Sequence, residues 1–151
     1  MATSAEGRDS DGAPGSPAER TDRFERDVEL RETHLSIRTT VRWLGTELEP
    51  VSASALLEVL AALASDLERH FALEERGTFP FTGRVLPAQD ELERWRAEHR
   101  ALAAGLRQML TDLEGAVRNM GDVPAALRPT LRSWLAHLAR HEEAESSSAS
   151  F

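Results

Sequence analysis

The chain has 151 residues, enough for one domain, and 40% of them are apolar. A formal net charge of −8 repels phosphate backbones and argues against nucleic-acid partners. There is no Cys and no Tyr, which excludes disulfides, thiolate metal sites, iron–sulfur ligation and a stored tyrosyl radical.

No run of about 18 apolar residues is present, so no membrane span is expected. The N-terminus lacks the charged-then-apolar layout of a secretory leader, and a cytoplasmic location is expected by default. Every basic residue is Arg. With the high Leu and Ala content, that points to a GC-rich, bacterial genome.

In chain order, residues 1–20 are rich in Gly, Ser, Pro, Asp and Ala without an apolar period, which predicts a disordered tail. Residues 21–145 then carry four helical stretches. Helix A is expected over about Thr21–Leu48 and ends at Glu49-Pro50. Helix B is expected from an N-cap at Ser52 or Ser54 to about Glu75. After a loop holding Gly77, Pro80, Gly83 and Pro87, helix C is expected over about Ala88–Val117. Gly121 and Pro124 mark the next turn, with helix D over about Ala125–Glu145 and Pro124 near its first position. Residues 146–151 read as a C-terminal tail. The expected fold class is all-α, an up-down four-helix bundle.

The apolar stripes carry more than the boundaries do. Helix B places Leu56, Leu60, Leu63 and Leu67 ahead of His70 and Glu74, in steps of four and three that keep one face inward. Helix D places Leu127, Leu131, Trp134 and Leu138 ahead of His141 and Glu145, each 71 positions after its helix B counterpart. Helices A and C repeat at an offset of 65: Leu30, His34, Ile37, Val41 and Leu48 match Trp95, His99, Leu102, Leu106 and Leu113. The chain therefore reads as two copies of one helical hairpin, each supplying a single His and then a His-x-x-x-Glu pair.

A single His on an apolar face is most often a hydrogen-bonded core residue. Here four of the five His fall in the stripes of four different helices, and two have a Glu one turn further on. Burying four imidazoles and two carboxylates costs several kcal/mol without compensation. The chain has no Lys and the stripes hold no Arg, so a bound cation is the simplest compensation. His34, His70, Glu74, His99, His141 and Glu145 are the expected metal ligands. Six mixed nitrogen and oxygen donors are too many for one tetrahedral zinc. Two iron ions fit, each taking two His nitrogens and one oxygen from each bridging Glu, with about one position left open per metal. Without metal, Glu74 and Glu145 are expected to repel and burial to favour their protonated forms. Gln at both positions should then relieve the metal-free chain.

His34, the run His70-Phe71-Ala72-Leu73-Glu74-Glu75 followed by Phe79-Pro80, Glu98-His99, and His141-Glu142-Glu143-Ala144-Glu145 resemble the hemerythrin-like HHE cation-binding domain, over about residues 24–145. The resemblance implies an up-down bundle and a carboxylate-bridged di-iron centre, with Glu74 and Glu145 bridging and the four His terminal. The oxygen-carrying members have a fifth His one turn away on the third helix, where this chain has Trp95 and Ala103. The four-His, two-Glu set is more similar to the iron-sensing and iron–sulfur-repair branches, although the repair proteins add a Cys-bearing domain. Ferritin-like Glu-x-x-His pairs are absent. The implied function is binding or sensing of oxygen, nitric oxide, peroxide or iron. The alternatives are a di-iron enzyme turning over peroxide or oxygen, and an iron donor for repair.

His137 and Glu142 offer a competing fourth-helix pair, and the internal repeat favours His141 and Glu145 over them. Trp95 and Trp134 are expected as core walls near the metals. Trp43 lies off the stripe, as a bundle cap or an interface marker.

Overall fold

The computed structural model describes residues 16–47, 51–76 and 89–148. They form α1 (Pro17–Glu47), α2 (Ala53–Glu75), α3 (Gln89–Arg118) and α4 (Leu127–Ser148). Among the described residues there is no strand, and no helix is long and apolar enough to cross a membrane. The expected all-α four-helix bundle is the fold. Of the tail predicted over 1–20, residues 1–15 lie outside the described residues and 17–20 are helical; residues 48–50, the loop over 77–88 and residues 149–151 also lie outside them.

Two helix ends differ from expectation for local reasons. Helix α1 starts at Pro17 instead of Thr21, because Ser16 opens a capping box. The Glu19 N–H donates to Ser16 Oγ at 3.3 Å, and the Ser16 N–H donates to Glu19 Oε2 at 2.7 Å. Pro17 then takes the first helical position, where its missing N–H costs nothing. At the other end of the chain, α4 continues past Glu145 to Ser148.

The expected cap of α2 is Ser52, whose Oγ accepts from the Ala55 N–H at 3.2 Å. Helix α3 closes with paired bonds, Gly121 N–H to Ala116 O at 2.8 Å and Met120 N–H to Val117 O at 3.1 Å. This Schellman arrangement puts the residue after the cap in the left-handed region, and Met120 takes it at φ 52°. A turn follows, closed by Leu127 N–H to Pro124 O at 2.9 Å, so α4 begins at Leu127 rather than Ala125. Pro129 falls in its first turn, where a helix tolerates it.

The stripes pack as their periods demand. Leu30, Ile37, Leu56, Leu60, Leu63, Leu102, Leu106, Leu113, Leu131 and Leu138 are all buried. Leu48 lies outside the described residues; the layer beside it is filled by Leu44 and Met109, which obey the same offset of 65. Each fully buried Leu side chain contributes about 1.5–3 kcal/mol. Trp134 joins this core, donating from Nε1 to Leu102 O at 2.8 Å across Gly105, where an added Cβ would stand 3.0 Å from Trp134 Cδ1.

Successive helices pack side by side, α1 on α2, α2 on α3 and α3 on α4. Among the described residues no comparably close pairing joins α1 to α4, and a groove runs between them. Alternation of direction brings four chain positions to one end of the bundle: the middle of α1, the last turns of α2, the first half of α3 and the last turns of α4.

Candidate metal centre

His70 and Glu74 are buried on α2, His99 on α3 and His141 on α4; His34 and Glu145 are half-buried. All six sequence-predicted residues meet at that one end of the bundle. Their donor atoms fall into two groups, within each of which the atoms lie within 4.8 Å of one another. One group is Glu74, His99, His141 and Glu145; the other is His34, His70 and Glu142.

Glu74 touches both groups. One carboxylate oxygen is 2.7 Å from His70 Nε2 and the other 3.2 Å from His99 Nε2. Glu145 Oε1 is 2.6 Å from His141 Nε2 and 3.3 Å from His99 Nε2. Its carboxylate therefore lies with the second hairpin's imidazoles. Glu142 occupies the corresponding place beside His34 and His70. On α4, Glu142 is rotated about 100° from His141 and so turns toward α1, whereas Glu145 returns to the face of His141.

The outward nitrogens explain why the inward ones converge. His99 Nδ1 lies 3.0 Å from Glu75 Oε1, and His141 Nδ1 bonds to Glu98 Oε2. A carboxylate only accepts, so each Nδ1 carries the proton and each Nε2 turns inward. His70 Nδ1 is 3.4 Å from Thr33 Oγ1, whose own hydrogen goes to Leu30 O at 3.0 Å. That places the proton on His70 Nδ1 in the same way. The Phe71 ring stacks on His99 at 3.9 Å and 7°, and lies edge-on to His141 at 5.9 Å.

This set of donors could hold a cation. His99 Nε2 and His141 Nε2 are 2.9 Å apart, and two lone pairs cannot face each other at that distance unless something positive lies between or beside them. Glu142 Oε1 is buried without a hydrogen-bond partner among the described residues. A proton can serve at His99. Burial alone would lower its pKa, but hydrogen bonds to Glu145 and Glu74 overcome that and push it up to about 9. His70 and His141 are raised as well, against burial, by Glu74 and Glu145 respectively. Burial also opposes the charge on Glu74, yet hydrogen bonds from His70 and His99 hold its carboxyl below the usual range. The expected protonation of Glu74 is thus corrected: imidazolium partners keep it ionised. Glu142 moves the other way, raised by burial and, despite His70, by the charges of Glu74 and Glu145. His34 is lowered by burial and by His70.

The competing pair His137 and Glu142 does not share a donor group among the described residues. Glu142 enters a donor group, while His137 is half-buried and belongs to neither group among the described residues. Sequence reasoning named Glu142 only as a partner of His137. It missed Thr33, Glu75 and Glu98 as orienting residues, although Glu75 and Glu98 each sit beside a predicted ligand. Trp95 and Trp134 are buried as expected, and Trp43 is partly exposed.

The family model of the hemerythrin HHE cation binding domain matches residues 27–147. None of the curated proteins and none of the solved structures compared with the chain matches it.

Proposed function

Since the chain belongs to the hemerythrin HHE cation-binding domain family, we propose that its two donor groups hold two iron ions and that the pair binds a small ligand such as oxygen, nitric oxide or peroxide. The observation that carries this reading is the Glu74 carboxylate, with one oxygen against His70 and the other against His99. A carboxylate so placed is suited to bridge two ions. His99, His141 and Glu145 would hold one ion; His34, His70 and Glu142 would hold the other. Imidazole with carboxylate suits iron, and seven donors exceed what a single ion needs.

When bound, the irons supply redox chemistry and open positions for a small ligand. The chain's own residues fix the donors. Glu75, Glu98 and Thr33 hold the Nδ1 protons and so aim each Nε2. Phe71, flat on His99, keeps water from that face. Relative to the sequence expectation, Glu145 serves the second hairpin's ion, and Glu142 joins as a seventh donor.

The test is elemental analysis and spectroscopy of iron-loaded protein. The expected result is about two irons per chain, following from the two donor groups, and a charge-transfer band on adding azide or peroxide. One zinc per chain, or no tightly held metal, would overturn the proposal. A stable adduct supports binding or sensing, whereas sustained peroxide consumption would favour an enzyme.

A further inference from the structure

The groove between α1 and α4 encloses about 650 Å³, within the range of small-molecule sites. One wall carries Arg31, Arg38 and Arg42, spaced seven and four residues apart and therefore on one face of α1. Among the described residues, no carboxylate pairs with Arg38 or Arg42. Arg38 and Arg42, one turn apart on α1 in a chain of net charge −8, form a local reversal of sign beside the single carboxylate of Glu142. Like charges held together are costly unless a counter-charge joins them. The rest of the lining is largely apolar, including Leu138 and the exposed Leu35 at the rim. The groove also reaches His34 and Glu142.

We propose that this groove binds a small organic carboxylate, its head held by Arg38 and Arg42 and its apolar body laid along Leu35 and Leu138. A guanidinium offers paired N–H donors that match a carboxylate. An apolar body would cover Leu35, which is 68% exposed. A bare inorganic oxyanion would leave that surface in water. Binding here needs no metal, so the proposal stands apart from the iron reading. If the irons are present, the bound anion lies beside the His34 and Glu142 ion.

The experiment is calorimetric titration of the full chain, both iron-loaded and chelated, with decanoate, decanol and inorganic phosphate. Decanoate should bind both forms. The Arg38→Gln/Arg42→Gln variant should bind it about tenfold or more weakly, the loss of at least one charge-assisted hydrogen bond. Both positions are exposed, and an unchanged circular dichroism spectrum will show that the variant folds. Arg100→Gln/Arg107→Gln, on the opposite α2–α3 groove, should bind decanoate as the parent does. The proposal is overturned if decanoate fails to bind or binds the Arg38/Arg42 variant equally well. It is also overturned if decanol binds as tightly or if phosphate competes equally. Decanoate binding that emerges only when Glu6, Asp9 and Asp11 are replaced by their amides would overturn it too, assigning the groove to the chain's own N-terminal tail.

Discussion

Glu98 on α3 accepts the Nδ1 hydrogen of His141 on α4. The residue after it, His99, donates its own Nδ1 hydrogen to Glu75 on α2. Thus α2 aims an imidazole of α3 and α3 one of α4, and the acid sits beside a donor in both cases: Glu75 after Glu74, Glu98 before His99. Partners of metal-bound imidazoles typically contribute about 10–100-fold in metal affinity. Glu98→Ala should therefore weaken iron retention by about that factor in a chelator competition. His141→Ala should abolish retention at its ion, while His137→Ala should leave it near the parent value. Equal losses from His137→Ala and His141→Ala would show that the register on α4 is wrong.

The chelated protein should lose stability as pH rises. His99 titrates near 9 in the folded chain against an ordinary value of 6.5, so its contribution is complete below 6.5 and is lost as pH climbs to about 9. His70 and His141 are displaced in the same direction. Iron binding requires the imidazoles neutral, so it releases those protons and strengthens over the same interval. The gap in Tm between loaded and chelated protein should widen from pH 6.5 to 9. For the same reason Glu74→Gln should destabilise the chelated chain near pH 7, because it removes the counter-charge of His70 and His99. This runs against the sequence-based expectation, in which Gln at Glu74 and Glu145 together relieves the metal-free chain. Thermal unfolding across this pH range decides it: a chelated Tm that is flat or rising would refute the imidazolium–carboxylate account.

That difference marks where sequence reading ran out. Period and offset alone placed all six predicted donors at one end of the bundle, since any residue in phase with a buried Leu must itself face inward. The repeat even extends to Leu44 and Met109. The charge state of Glu74 depends on distances of 2.7 and 3.2 Å to imidazoles from two helices, which no stripe reports. Glu142 was hidden for a similar reason. It is off the α4 stripe, and only the position of α1 makes its direction an inward one. The early start of α1 was readable in Ser16-Pro17-Ala18-Glu19, a capping signal embedded in a stretch whose composition suggests disorder.

Two helical glycines of α3 should respond oppositely to alanine. Gly115 has nothing within 4 Å of an added Cβ, so Gly115→Ala should stabilise by about 0.5–1 kcal/mol through helix propensity. Gly105 faces Trp134 Cδ1 at 3.0 Å, and the indole is held by its bond to Leu102 O. There the propensity gain is offset by displacing a buried ring, and Gly105→Ala should lower the Tm. Denaturant unfolding of the two variants is sufficient; a more stable Gly105→Ala protein would mean that Trp134 is free to move.

The lack of a close pairing between α1 and α4 among the described residues gives the bundle an open side, and the chain has no disulfide with which to close it. His34 and Glu142 stand on opposite banks of that opening, each contributing a donor to the same group. An ion held between them would act as a clasp. The first helix is anchored along α2 by packing and by bonds such as Arg69 to Glu29, but along its other flank the fastening would be ionic and removable. Occupancy of the centre would then set the stiffness of a 31-residue lever whose first turns are exposed on every side.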